Sequence, residues 1–329
     1  MPRARSGTDF PPLGLLALAL VTAAAGACSH DPTQKYRDPG VPIEDAFVAA
    51  AAHGDKGAVE AFLATGLALD TRDQHGSTPL MAAAGAGRNN IVQLLVGRGA
   101  DVNVVKRDGW NALIAAAQAG NDDTVRTLLD AGANPNTRSA EGFTPLMAAA
   151  QAGQDEAVKV LLEKKAQVNS ANDNGWTALM AAIESSDETI VEMLLEHGAD
   201  PNRAGGDGWT PLMAAAHAGE EDVLKALLSA GADPNARNDE GWTALMAAVQ
   251  SGDLDAVKAL VDGRADVNAA SHEGWTALMG AADAGHRDMV KLLLDRGANP
   301  RAVNHDRATA ASYAERNGHE RILELLRGR

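Results

Sequence analysis

Aromatic residues, cysteine and basic residues are all scarce in this chain of 329 residues. Although 45% of the residues are hydrophobic, only 3% are aromatic, so a core must come from close approach of helices with small, mostly alanine, side chains. A single cysteine excludes an intramolecular disulfide and a cysteine-rich zinc site. Lys and Arg number 29 against 44 Asp and Glu, and this charge of −15 argues against nucleic-acid binding, which needs positive charge.

The first 27 residues have the composition of an export signal. Arg3 and Arg5 precede an apolar run over residues 13–21 that alanines extend to Ala27. This run is shorter than the ~20 residues that span a bilayer comfortably. A basic start, a short apolar region and small residues at its end predict a secretory signal peptide over residues 1–27.

The only cysteine of the chain, Cys28, comes directly after this signal. The preceding residues 25–27 (Ala-Gly-Ala) resemble the lipobox of bacterial lipoproteins, where cleavage exposes a cysteine that becomes lipid-modified, although Ala25 replaces the usual leucine. Ordinary cleavage after Ala27 would leave Cys28 unmodified and remains the alternative. In the lipoprotein family, Ser29 implies sorting to the outer membrane of a Gram-negative cell. We therefore predict an exported chain with a lipid on Cys28, facing the periplasm, and a polar, extended tether over residues 28–42.

One motif recurs every 33 residues from residue 43 to residue 327. Glycines mark the turns, and leucines follow them four positions later. The glycines are Gly76, Gly109, Gly142, Gly175, Gly208, Gly241 and Gly274, and the leucines are Leu80, Leu113, Leu146, Leu179, Leu212, Leu245 and Leu278. Such a fixed period is the sequence signature of a repeat architecture. It predicts nine repeats that start near residues 43, 76, 109, 142, 175, 208, 241, 274 and 307.

The segment that begins Gly142-Phe-Thr-Pro-Leu-Met-Ala-Ala-Ala resembles the ankyrin repeat, whose pattern is G-x-T-P-L-H-x-A-A followed by V-x-x-L-L and G-A-x-x-N. The resemblance implies an all-α solenoid of paired short antiparallel helices with β-turn fingers, in a single domain over residues 43–329. Within each repeat, Thr144 is expected to cap the first helix and Gly153 to end it in a left-handed conformation. Helices this short are unstable alone, so each repeat depends on its neighbours.

Some positions depart from the repeat. Ser186 replaces a first-helix glycine, and Lys165 and Arg264 replace second-helix glycines, each at a cost of about 1 kcal/mol if the residue stays left-handed. The terminal repeats are expected to act as caps with solvated outer faces. In the last helix the polar positions are Glu320, Arg321, Glu324 and Arg327.

Catalytic and metal-binding patterns are not evident. The nine histidines are scattered without metal-ligand spacing, and no nucleophile elbow occurs. Acidic pairs such as Asp122-Asp123 fall at the start of second helices, where they favour the helix dipole. We therefore expect neither an enzyme nor a bound metal or cofactor.

Two rows of side chains recur with the repeat. An aromatic row follows the finger glycines and consists of Trp110, Phe143, Trp176, Trp209, Trp242 and Trp275. Carboxylates usually precede those glycines, at the acidic positions Asp108, Glu141, Asp207, Glu240 and Glu273. Tryptophans are typical binding anchors, and nearby carboxylates favour a basic or cationic partner. Alternatively, each ring shields its own first helix and has a packing role alone.

Methionines occupy the position where the ankyrin pattern has histidine. They are Met81, Met147, Met180, Met213, Met246 and Met279, with Ile114 in the remaining internal repeat. Methionine at this helical spacing is typical of core packing, and a copper-binding stripe is the alternative.

The predicted function is non-enzymatic recognition of another protein by a monomeric scaffold or receptor in the bacterial envelope. The partner is expected to have a basic or cationic surface, and the chain is expected to meet the membrane through its N-terminal lipid alone. One alternative, which rests on analogy, is an immunity lipoprotein that neutralises a toxin acting in the periplasm. Another is a structural or stress-protective envelope protein without a single partner.

Overall fold

The computed structural model describes residues 31–38 and 40–328, so the predicted signal peptide and Cys28 lie outside the described residues. The described residues form eighteen α-helices and one short 3₁₀ turn, Gln34–Tyr36, and they include no β-strand beyond isolated bridges. The helices pair into nine successive repeats, which confirms the all-α repeat fold. The first helices of the repeats are α1 (Ile43–His53), α3 (Pro79–Gly85), α5 (Ala112–Gln118), α7 (Pro145–Gln151), α9 (Ala178–Glu184), α11 (Pro211–Ala218), α13 (Ala244–Ser251), α15 (Ala277–Asp283) and α17 (Ala310–Arg316). The second helices are α2 (Lys56–Ala64), α4 (Asn89–Gly97), α6 (Asp122–Asp130), α8 (Asp155–Glu163), α10 (Glu188–Glu196), α12 (Glu221–Ser229), α14 (Leu254–Asp262), α16 (Arg287–Asp295) and α18 (Glu320–Arg327).

The ends of the first helices follow the predicted local signals. The Oγ1 of Thr144 accepts a hydrogen bond from the backbone N–H of Met147 at 3.3 Å, and Pro145 occupies the first helical position. Gly153, just after the helix, has φ of +64°. Both expectations for this repeat are confirmed, and the same threonine cap recurs at Thr78, Thr177, Thr210 and Thr276.

The positions that depart from the repeat keep the left-handed backbone of the glycines that they replace. The φ angles are +63° at Lys165, +58° at Ser186, +68° at Arg264 and +59° at Arg307. An L-residue pays a steric cost in this conformation because its Cβ approaches the following carbonyl oxygen. Because Lys165, Ser186 and Arg264 are left-handed, each is expected to cost about 1 kcal/mol of stability.

The core runs through all nine repeats. First helices contact one another more extensively than second helices do. Fully buried alanines such as Ala149 and Ala150 lie between adjacent first helices, and their small side chains allow this close approach. The second helices contribute branched side chains, for example Val158 and Leu161, which have no exposed surface. All six methionines of the repeated position are buried, together with Ile114. Burial of these thioethers supports the packing interpretation of that row over a copper site.

The fingers between repeats are joined to one another. The backbone N–H of Asp239 donates to the carbonyl of Asp207 at 3.1 Å, and that of His272 donates to the carbonyl of Glu240 at 2.9 Å. A second ladder runs through asparagine side chains; the Oδ1 of Asn202, for example, accepts from the N–H of Asp233 at 2.7 Å. These bonds fix each finger relative to the next, so side chains at the base of the fingers are held in a regular row.

The two ends of the array differ. At the C-terminal end, Glu320, Arg321, Glu324 and Arg327 of α18 are exposed, as expected for a cap. At the N-terminal end, residues 31–37 lie against the first repeat, with Thr33 only 1% exposed and Tyr36 packed on the core. The expectation of an extended tether is therefore wrong for these residues, because they form a 3₁₀ turn, bury side chains and make polar contacts with Asp55, the N-cap of α2.

Candidate protein-binding surface

The aromatic row lies where each finger joins its first helix. In the repeat that contains α13, the finger closes through a hydrogen bond from the N–H of Asn238 to the carbonyl of Trp242 at 3.0 Å. The Asn238 Oδ1 in turn accepts from the N–H of Trp242 at 2.8 Å. The same pair of contacts joins Asn172 and Trp176. The position of each ring along the array is therefore set by its finger.

All six rings of the row are half-buried, but they differ in what they contact. Phe143, Trp176, Trp209 and Trp275 pack against the continuous core. The ring of Trp275 meets that of Tyr313 edge-on, with centroids 4.8 Å apart, and Trp209 meets His217 edge-on at 6.3 Å. These four side chains contribute to packing whatever else they do.

Trp110 and Trp242 are half-buried without forming part of that core cluster. Truncating either ring should therefore disturb the fold less than truncating Trp275. Trp176, in contrast, packs on the core, and its Nε1 is buried without a hydrogen-bond partner among the described residues. Apolar contact, not a polar bond, holds that ring in place.

The five acidic positions are all exposed. Two of them also accept a hydrogen bond within their own finger. The Oδ1 of Asp108 accepts from the N–H of Trp110, and the Oδ1 of Asp207 accepts from the N–H of Trp209, both at 3.1 Å. Asp108 lies 3.4 Å from the Nζ of Lys106 as well. Glu141, Glu240 and Glu273 form no ion pair with any described residue. Their carboxylates are available to a cation from outside the chain. We call the aromatic row and the acidic positions together the finger surface.

The model of the ankyrin-repeat family, which contains three copies of the repeat, matches residues 47–139, 132–205, 202–271 and 264–328. These matches cover nearly the whole array. The chain belongs to the ankyrin-repeat family. Ankyrin repeats mediate binding to other proteins and are generally non-enzymatic, so membership indicates a protein-interaction scaffold. Among curated proteins, none matches this chain.

Acidic charge is concentrated in the middle of this ankyrin array. Residues 166–262, here called the central segment, contain 17 acidic and four basic residues. The rest of the chain is therefore nearly balanced, because the whole chain has 44 acidic and 29 basic residues. Trp209 and Trp242 both lie in the central segment. The repeat pattern does not show this concentration, whereas a count of charges along the sequence does.

The second helices of the ankyrin array show one local departure from charge pairing. Lys159 of α8, Lys225 of α12 and Lys258 of α14 occupy equivalent positions and form ion pairs within their own helices, the closest at 2.6 Å between Lys258 and Asp255. In α10 the equivalent residue is Glu192, which lies between Glu188 and Glu196 on an exposed face. The central segment is therefore acidic on its second helices as well as on its fingers.

Two further features concern the part of the chain that the structure describes: metal-binding clusters and membrane-spanning helices. Among these residues, no group of three or more His, Cys, Asp or Glu side chains is arranged to hold a metal ion. None of the helices formed by residues 31–38 and 40–328 has the length and apolar character needed to cross a bilayer.

Proposed function

We propose that this ankyrin-repeat protein is an interaction scaffold or receptor of the bacterial envelope, held by a lipid on Cys28 and facing the periplasm. It acts as a monomer and binds a protein with a basic surface through the finger surface of its central segment. Family membership supports protein binding. The basic character of the partner is inferred from the charge of this chain.

One observation carries the proposal: half-buried tryptophans alternate with exposed carboxylates where the chain is most acidic. Trp242 stands beside Glu240, and Trp209 stands beside Asp207. Tryptophan provides a large contact area and often dominates the binding energy of an interface. A carboxylate at the rim attracts a basic partner from a distance and thereby speeds association. An Arg or Lys of the partner could satisfy both groups, because cations bind tryptophan faces as well as carboxylates.

A crosslinking pull-down from envelope fractions tests this function, with the mature chain from residue 28 as bait. We expect the wild type to capture a basic protein and the Trp242→Ala/Glu240→Lys double variant to capture much less of it. A matched control is Lys258→Ala, which removes a charged side chain of a second helix but leaves the finger surface intact. Equal capture by wild type and double variant would contradict the proposed surface.

The lipid anchor has a test of its own. Metabolic labelling with palmitate should mark the wild type and leave Cys28→Ser unlabelled, because lipidation occurs on the thiol. The Cys28→Ser chain should then appear in the soluble periplasmic fraction, since without a lipid it has little affinity for the membrane. A wild-type chain that takes up no palmitate would refute the anchor and would favour ordinary cleavage after Ala27.

The acidic central segment also favours one specific version of this function. An immunity lipoprotein that neutralises a periplasm-acting toxin would need a surface complementary to a basic toxin domain. Capture of such a toxin, together with loss of protection in cells that produce the Glu240→Lys variant, would support this version. Capture of a resident envelope protein would support the general scaffold.

A further inference from the structure

Among the described residues no repeat precedes the first one, and residues 31–37 lie against it instead. We call these residues the docking segment. Phe47 of α1 and Phe62 of α2 are completely buried although they belong to the terminal repeat. Tyr36 packs against the same core, and the guanidinium of Arg37 lies 5.5 Å from the centre of the Phe62 ring. The docking segment therefore shields aromatic side chains at the exposed end of the stack.

Polar contacts fasten the docking segment to the start of α2. The Nζ of Lys35 lies 2.6 Å from the Oδ2 of Asp55, and the Tyr36 hydroxyl donates to the same oxygen at 3.4 Å. The other carboxylate oxygen of Asp55 accepts the N–H of Ala58 at 3.1 Å and so caps α2. One aspartate thus joins the helix to the segment. The hydrogen bond with Asp55 also raises the pKa of Lys35, so the ammonium form is favoured there.

The docking segment is also ordered internally. Asp31 accepts the N–H of Thr33 at 2.9 Å and its hydroxyl at 2.7 Å, which turns the chain into the 3₁₀ helix. Thr33 is 1% exposed. A flexible polar linker would keep this hydroxyl in water, so its burial indicates a folded part of the domain.

We propose that the docking segment is a clasp that holds the N-terminal end of the array next to its anchoring point. A free tether over residues 28–42 could extend to about 50 Å, at 3.3–3.6 Å per residue. With residues 31–37 docked, the three residues from Cys28 onward can span at most about 10 Å. The first repeat is then held at the membrane surface. This consequence rests on the proposed lipid anchor, whereas the docking itself does not.

The distance of the finger surface from the anchored end follows from the number of repeats between them. Packed helices lie about 8–10 Å apart, and the repeat that begins near residue 208 is five repeats beyond the first. The acidic central segment therefore lies roughly 40–50 Å along the array from the anchored end.

Docking is tested first in the soluble Cys28→Ser chain by trypsin cleavage after Arg37. The variant Lys35→Glu places a carboxylate opposite Asp55 and should release the segment, so cleavage after Arg37 should become at least about tenfold faster than in the wild type. Lys56→Glu is the matched control, because it makes the same charge change at an exposed site at the start of α2. We expect the control to be cleaved at the wild-type rate. Cleavage of the wild type as fast as Lys35→Glu would overturn the clasp.

The membrane consequence is tested with the lipidated chain in phospholipid vesicles that contain an energy-acceptor lipid. Gln93→Cys introduces a labelling site on the exposed side of α4, since Cys28 is blocked by its lipid. Energy transfer from a donor dye at residue 93 should fall when Lys35→Glu frees the segment, and should not change with Lys56→Glu. Equal transfer in all three proteins would overturn the claim that the clasp sets the distance. Failure of palmitate labelling alongside slow cleavage of the wild type would instead refute the anchor and leave the docking intact.

Discussion

Trp242 and Trp275 occupy the same position in consecutive repeats and yet have different surroundings. Trp275 packs on the core and meets the ring of Tyr313 edge-on at 4.8 Å. The residues equivalent to Tyr313 in the two preceding repeats are Gly280 and Ala247, so Trp242 has no such aromatic neighbour in the next repeat. Trp242 is half-buried and lies beside the exposed Glu240. A residue that recurs with the repeat therefore does not have one fixed environment, because side chains of the neighbouring repeat decide whether its ring packs on the core.

The largest effect expected from this comparison is on folding. Trp275→Ala should lower the free energy of unfolding by about 2–3 kcal/mol, because it removes a half-buried ring from the core and from Tyr313. Urea unfolding followed by circular dichroism measures this change. Affinity for the partner should stay close to that of the wild type under conditions where the variant is folded. A stability loss below about 0.5 kcal/mol would show that Trp275 does not have the packing role inferred for it.

Trp242→Ala should show the opposite behaviour. Binding of the captured partner should weaken by about 2 kcal/mol, or roughly 30-fold in Kd, as for a truncated hot spot. Stability should fall by less than about 1 kcal/mol, because the ring lies outside the core cluster. Calorimetric titration and urea unfolding on the same preparation give both numbers. Unchanged affinity with a large stability loss would show that Trp242 packs as Trp275 does.

Ser186→Gly should change stability and leave binding unaffected. Glycine should raise the free energy of unfolding by about 0.5–1 kcal/mol, because Ser186 is held at φ of +58°. Affinity should not change, since the residue is at the end of a first helix and not on the finger surface. Gly153→Ala, at an equivalent glycine with φ of +64°, is the matched control and should destabilise the array. A loss of stability in Ser186→Gly would contradict this account of its strain.

The smallest effect should come from charge at the rim. Glu240→Lys should slow association with a basic partner about threefold at low salt, and the difference should shrink as salt screens the charge. Stability should be almost unaffected because Glu240 is exposed and forms no ion pair with described residues. The control is Glu273→Lys, beside Trp275 and outside the central segment, where the effect should be smaller. Stopped-flow measurements would detect the difference, and equal slowing by both variants would argue against a site confined to the central segment.

The repeat architecture was predictable because its signals are local. Thr144, Pro145 and Gly153 act on the backbone within a few residues, so their roles follow from sequence and are confirmed by the structure. The docking segment was not predictable in this way. Its main contact joins Lys35 to Asp55, and no period in the sequence relates them. The environment of Trp275 likewise depends on Tyr313 in the following repeat.

The positions of the residues on the finger surface could be predicted from the sequence, but the energetic contribution of each residue could not. The 33-residue period placed the aromatic row and the acidic positions at the fingers. The division of the row into rings that join the core and rings that do not depends on side chains from adjacent repeats. The charge concentration between residues 166 and 262 was present in the sequence but is a property of a window, not of a motif.

Site-specific photocrosslinking shows directly whether the partner binds the finger surface. A photoreactive benzoylphenylalanine at position 240 would report on the finger surface, and the same group at position 192 would report on the exposed face of α10. Both positions are exposed and both lie in the acidic central segment. We expect the basic partner to crosslink at position 240 and not at position 192. Crosslinking at position 192 with none at position 240 would contradict it and would assign binding to the second helices.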